Sequence, residues 1–119
     1  MGDPPLPEET TMYIVRWHFQ TRFGHLKEVL SILRQWEIDV GQRVGWRAST
    51  VRVLEGVLGT PRSTIELEAH VESLGDLESS WADMERIPHH AEAMKALEKY
   101  VTSGTDAWSV YRQVELFEE

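Results

Sequence analysis

The stretch from Met12 to Phe19, MYIVRWHF, limits the possible folds more than any other part of the sequence. Its β-branched and aromatic residues favour a strand, and a strand sends successive side chains to opposite faces. Tyr13, Val15, Trp17 and Phe19 make one face, all apolar, which must lie beneath something equally apolar such as helices. Met12, Ile14, Arg16 and His18 make the other, which begins apolar and ends in groups that carry or can carry charge. Such a face suits neither open solvent nor a sealed core. It fits a surface that meets a partner subunit and borders a shared cavity.

The remaining pattern says what can cover the apolar face. After QTRFG, Leu26, Val29, Leu30, Leu33, Trp36 and Val40 recur at spacings of three and four, which predicts a helix ending at Gly41. Strand propensity returns over Trp46 to Leu54, followed by the hairpin-like EGVLGTPRS. Ser63 to Val71 then alternates: Ile65, Leu67, Ala69 and Val71 face the core, while Thr64, Glu66, Glu68 and His70 share a side with Arg16 and His18. Ser73 opens a second helix in which Asp76 sits near the positive end. Proline is tolerated in a helix's first turn and poorly further in, so Pro88 ends that helix and starts a third through HHAEAMKALEKYV. Ser103 and Gly104 close it, and Trp108 to Leu116 reads as a last strand.

The order is βαββαβ, an α+β arrangement of the ferredoxin-like kind: a four-stranded antiparallel sheet with helices on one face. The first and third strands are central. The opposite face is then bare in a single subunit, and two-fold pairing of sheets is the usual way to cover it. A homodimer through the sheet face is expected. Residues 1–10 hold three prolines and no periodic pattern and read as a flexible arm; residues 11–117 form the one domain.

Composition narrows the partners. Twenty acidic against twelve basic residues give a formal charge of -8, which repels nucleic-acid phosphates and anionic lipid, so neither nucleic acid nor membrane is an expected partner. With no cysteine, thiolate chemistry and Cys-ligated metals are excluded. No apolar run approaches the roughly 20 residues that span a bilayer, and the first residues lack a basic-then-apolar leader pattern, so a cytoplasmic location is expected. The five tryptophans are many for this length and point to an aromatic-lined cavity or a subunit interface.

The chain resembles the dimeric α/β-barrel superfamily, and within it the NIPSNAP-like and antibiotic-biosynthesis-monooxygenase-like proteins. The resemblance spans residues 11 to 116 and is carried by MYIVRWHF with its turn ending at Gly24, by the helix start ESLGDLESSW, and by SGTDAWSVYRQVE. In the NIPSNAP-like pattern the first strand carries an acidic residue, an arginine two positions on and often an aromatic two beyond that. Arg16 matches the arginine, whereas Ile14 and His18 replace the other two and Phe23 stands where a proline often precedes the turn glycine. The resemblance implies the fold and a pocket, between sheet and helices or between paired sheets. On this scaffold such pockets serve cofactor-independent oxygenation, isomerisation, cyclisation, dechlorination, haem degradation or plain binding.

Chemistry is expected of Arg16, His18, Glu66, Glu68 and His70, on adjacent strands and one face. His18 and His70 are expected to act as acid and base, with Arg16 stabilising a developing oxyanion and Arg52 available beside it. The plainer alternative is that Arg16 and Arg52 pair with Glu66 and Glu68 to neutralise charge at an interface. Arg52, Glu66, Trp46, Trp108 and Tyr111 are the candidate pocket residues, with Trp46 and Trp108 on edge strands as walls. His89 and His90 point about 100° apart on a helix and suit a boundary better than a shared metal. His25 reads as a surface residue. No phosphate loop, nucleophile elbow or metalloprotease motif is present, and neither a cofactor nor a metal is expected. Two functions fit: binding a small apolar or aromatic molecule, with oxygenase, isomerase or cyclase chemistry needing no cofactor, or a non-catalytic ligand-binding or dimerisation module.

Overall fold

The structure is a computed structural model that describes residues 12–47 and 49–117. The arm expected over residues 1–10 lies outside the described residues. The strands are β1 (Tyr13–Gln20), β2 (Arg52–Glu55), β3 (Thr64–Val71) and β4 (Ala107–Arg112); the helices are α1 (Leu26–Asp39), α2 (Leu74–Glu85) and α3 (Pro88–Glu98). They follow one another as βαββααβ, and all strand pairs are antiparallel in the order β2-β3-β1-β4. This is the ferredoxin-like α+β sheet that the pattern predicts, with β1 and β3 central.

Register follows from the alternation. Val15 faces Ala69 and Phe19 faces Ile65 across β1 and β3, and all four are essentially inaccessible. From α1, Val29, Leu33 and Trp36 cover them, joined by Leu77 and Met84 of α2 and Leu97 of α3. Each such side chain withdrawn from water contributes about 1.5–3 kcal/mol. Both predicted helix starts hold: the Asp76 N–H donates to Ser73 Oγ at 3.0 Å at the start of α2, and Pro88 occupies the first turn of α3.

Two expected strands are shorter than their sequences suggest. Trp46 does not begin β2. A 3-10 turn over Gly41–Val44 and the left-handed Gly45 (φ 94°) bring the chain back beneath α1, where Trp46 is 1% exposed. Burying an indole outweighs the weak strand preference of the segment, so β2 starts only at Arg52. At the other end, β4 stops at Arg112, which pairs with Tyr13, the first residue of β1. The Gln113 N–H still reaches Met12 O at 2.8 Å, but beyond it Val114 and Leu116 are exposed.

The end of α1 carries a buried acid. Both carboxyl oxygens of Glu37 are inaccessible and without a hydrogen-bond partner among the described residues. They lie where a side chain on residue 41 would sit, so a larger residue there would displace the Glu37 carboxyl. Burial pushes the Glu37 pKa from 4.5 up to about 7. The folded chain therefore holds this proton more tightly than the unfolded one, and the contribution to stability is full below pH 4.5 and lost as pH rises through about 7. Glu37→Gln keeps the shape without the charge. It is expected to raise the unfolding free energy by on the order of 1 kcal/mol near pH 8 and by much less near pH 5, as measured by urea denaturation at both values.

Candidate functional site

All five tryptophans of the chain line a single cavity of about 500 Å³ on the helix side of the sheet. Each comes from a different segment. Trp17 of β1 and Trp108 of β4 are opposite one another in register, with rings stacked 5.7 Å apart at 19°. Trp46, turned inward by Gly45, packs near-perpendicular to Trp36 of α1 at 5.7 Å and to Trp108 at 6.3 Å. Trp81 of α2 meets Trp108 at 5.4 Å and 73°. Offset and edge-on arrangements of this kind are those that aromatic quadrupoles favour.

The helices supply the rest of the wall by periodicity. Trp81, Met84 and Glu85 are three and four apart on α2, and His90 and Met94 are four apart on α3, so each set shares a face. The floor is inaccessible, with Trp46 at 1% and Leu67 and Met84 at 3% exposure, whereas Trp81 and Trp108 at 36% and 43% mark the mouth. Glu85 and Asp106 stand there too, both exposed. Asp106 is placed by its neighbour Thr105, whose Oγ1 accepts from the Gln20 N–H at 3.0 Å and donates to Thr102 O at 2.6 Å. No lysine or arginine lines the cavity among the described residues.

Among the described residues, His90 is the one imidazole in this wall. Its Nδ1 accepts a hydrogen bond from Trp36 Nε1 at 3.0 Å, which requires the neutral ring protonated on Nε2. Burial holds its pKa below the ordinary histidine value, against an upward pull from Glu85. Its neighbour His89 turns instead to Asp39, Nδ1 to Oδ2 at 3.2 Å, so the two imidazoles clamp α3 to α1 through different partners. The indole N–H of Trp46 is buried without an acceptor among the described residues.

The outer face of the sheet holds a different group. Glu68 of β3 is fully buried between Arg16 of β1, whose Nε is 3.1 Å from Oε1, and Arg52 of β2, whose Nε is 2.8 Å from Oε2. His70 Nε2 approaches the same Oε2 at 3.4 Å, and the Arg16 guanidinium lies 5.4 Å from the Tyr111 ring centre. Both arginines thus converge on Glu68, not on Glu66 as well. The reason is register: Arg16 and Arg52 each stand opposite Glu68, whereas Glu66 is opposite His18 and Leu54. Glu66 makes no ion pair among the described residues. Burial alone would raise the Glu68 pKa, but the hydrogen bonds and charge of Arg52, with help from His70 and Arg16, outweigh it and hold the carboxyl below its ordinary value.

The residues singled out from the sequence therefore divide between two sides of the sheet. Trp46 and Trp108 line the cavity, Trp46 from a loop and not from an edge strand. Arg16, His18, Glu66, His70, Arg52 and Tyr111 lie on the outer face. Trp17, Trp36, Trp81 and His90 also belong to the cavity; the sequence pattern reads the three tryptophans as core and His90 as a helix-boundary residue. The available signal was that Trp17, Trp36 and Trp81 each sit on a core-facing stripe of their own element.

The sequence matches no protein-family model and no curated protein. Solved structures do match. A NIPSNAP family protein from Agrobacterium tumefaciens aligns with a TM-score of 0.76 at 14% identity, covering 98% of this chain and 97% of its own. A NIPSNAP-like domain protein from Burkholderia xenovorans gives 0.74 at 14% identity over 92% and 91%. The chain has the NIPSNAP-like fold. An antibiotic biosynthesis monooxygenase-like protein from Caulobacter crescentus, at 0.67 and 11% identity over 88% and 92%, shares the same ferredoxin-like frame. Among the described residues, no helix is long and apolar enough to cross a membrane.

The Glu68 cluster yields a stability prediction. Because its pKa is lowered on folding, the contribution of Glu68 is present above the ordinary carboxylate value of 4.5 and is lost as pH falls through the lower folded value. Glu68→Gln, which leaves two arginines without their shared anion, is expected to destabilise by about 1–3 kcal/mol at pH 7. The deficit should shrink in acid, as read from chemical denaturation against pH.

Proposed function

We propose that this protein binds a small, mostly apolar or aromatic molecule in the cavity on the helix side of its sheet. The observation that carries the reading is the gathering of all five tryptophans, from five separate segments, around one space of about 500 Å³. Pockets for small organic ligands fall in the range of about 300–1,000 Å³ and are apolar with a few placed polar groups. Here those groups are His90, Glu85 and Asp106. Chemistry on the bound molecule, of the cofactor-independent oxygenase, isomerase or cyclase kind, is the further step of this reading. Within the cavity, proton transfer falls to His90, whose Nε2 is not engaged by the Trp36 bond. Without such chemistry the protein is a ligand-binding module.

Trp108 is the residue with which to test this, since it is partly exposed at the mouth of the cavity. Isothermal titration with 1-naphthol and related bicyclic aromatics is expected to give saturable 1:1 binding, weakened at least tenfold in Trp108→Ala. Absence of binding across the panel would overturn the reading.

A second reading concerns the outer face, and its motivating observation is that Glu68 is wholly buried there although its arginine partners are partly exposed, 36% for Arg16 and 62% for Arg52. Ile14, Leu54 and Tyr111 lie beside this cluster and add apolar surface. We propose that a second copy of the chain covers it, sheet against sheet. Arg16, His18 and His70 would then border a shared space in which the imidazoles exchange a proton and Arg16 holds an oxyanion. Light scattering is expected to give twice the chain mass at micromolar concentration and the single mass for Leu54→Asp with Tyr111→Glu. A monomeric wild-type chain would remove the pairing and the outer-face site together.

A further inference from the structure

The cavity is aromatic and, where it is charged, only negative. Its five indoles present π surfaces with negative faces, Glu85 and Asp106 stand at the mouth, and no lysine or arginine lines it among the described residues. The only other titratable wall group among the described residues, His90, is kept neutral by accepting from Trp36. A ligand that was merely apolar would leave the two carboxylates without a role. An anionic ligand would meet repulsion from both.

Resting on the binding reading above, we propose that the natural ligand is a small organic cation, an alkylated or quaternary amine with an apolar or aromatic body. The charged nitrogen lies against indole faces near the mouth, with Glu85 and Asp106 supplying counter-charge, and the body fills the floor between Trp46, Leu67 and Met84. Cations over aromatic faces are attracted by the ring quadrupole, most strongly by tryptophan, and the attraction grows as water is excluded. A quaternary ammonium suits this wall better than a primary amine. It needs no hydrogen-bond acceptors, and the indoles offer none, since indole nitrogen only donates. The overall charge of -8 adds a field that draws cations toward the protein.

The position of the charged groups agrees with this assignment. Glu85 and Asp106 come from different elements, one from the end of α2 and one from the loop before β4. They flank Trp81 and Trp108, the two exposed rings. An entering cation therefore passes the carboxylates before it reaches the enclosed rings. Trp81 stands at 73° to Trp108, which is itself stacked on Trp17, so the rings at the mouth do not share one plane.

Titration calorimetry with three probes of similar shape separates the possibilities: phenyltrimethylammonium, its neutral isostere tert-butylbenzene below its solubility limit, and 4-tert-butylbenzoate. The expected order is cation over neutral by tenfold or more, with the anion weakest. Equal affinity for cation and neutral isostere would overturn the cation assignment while leaving the aromatic pocket standing. No binding of any probe would overturn both. The double variant Glu85→Gln with Asp106→Asn, at exposed positions, is expected to bring the cation-to-neutral ratio below about threefold. A ratio unchanged in that variant would remove the carboxylates from the proposal.

Discussion

The pairing of β1 with β3 is the constraint on which the rest of the molecule depends. Its register places Trp17 beside Leu67 on one side of the sheet and Arg16 beside Glu68 on the other. A slip of one residue would turn every side chain over, sending an arginine toward the helices and an indole toward the outer surface. Apolar burial and charge pairing thus select the same alignment from opposite faces. The agreement matters because the two central strands carry groups for both candidate sites.

Much of this frame is legible in the amino-acid order. The alternation in MYIVRWHF and in TIELEAHV fixes two strands and their faces, and Ser73 and Pro88 fix helix boundaries through a hydrogen bond and a missing N–H. The second strand is less legible. WRASTVRVL carries strand-forming residues throughout, yet its first residue is claimed by the core and only Arg52–Glu55 pairs. Local preference is a weak term there, and nothing local announces that α1 leaves room for an indole beneath it.

The outer face was readable as a charged group but not as a particular network. Sequence alone offers two arginines and two glutamates with several pairings. Strand offset selects one, in which both cations share Glu68 and Glu66 is left with His18 as its cross-strand neighbour. The cavity was harder still to foresee. Its tryptophans are separated by as few as 10 and as many as 35 positions between neighbours in sequence, and three of the five look like ordinary helix or strand core. Only the packing of the three helices on the core face of the sheet brings them together, with His90 held in one tautomer by the indole it faces.

The concentration of every indole in one cluster has an optical consequence. Ring centres lie 5.4–6.3 Å apart in a chain of contacts through Trp108 and Trp46, close enough for their excited states to mix. Near-ultraviolet circular dichroism of the protein is accordingly a signal from one locality, where in most proteins it averages over many. Loosening of this wall would erase the band while the far-ultraviolet spectrum of the sheet and helices persisted.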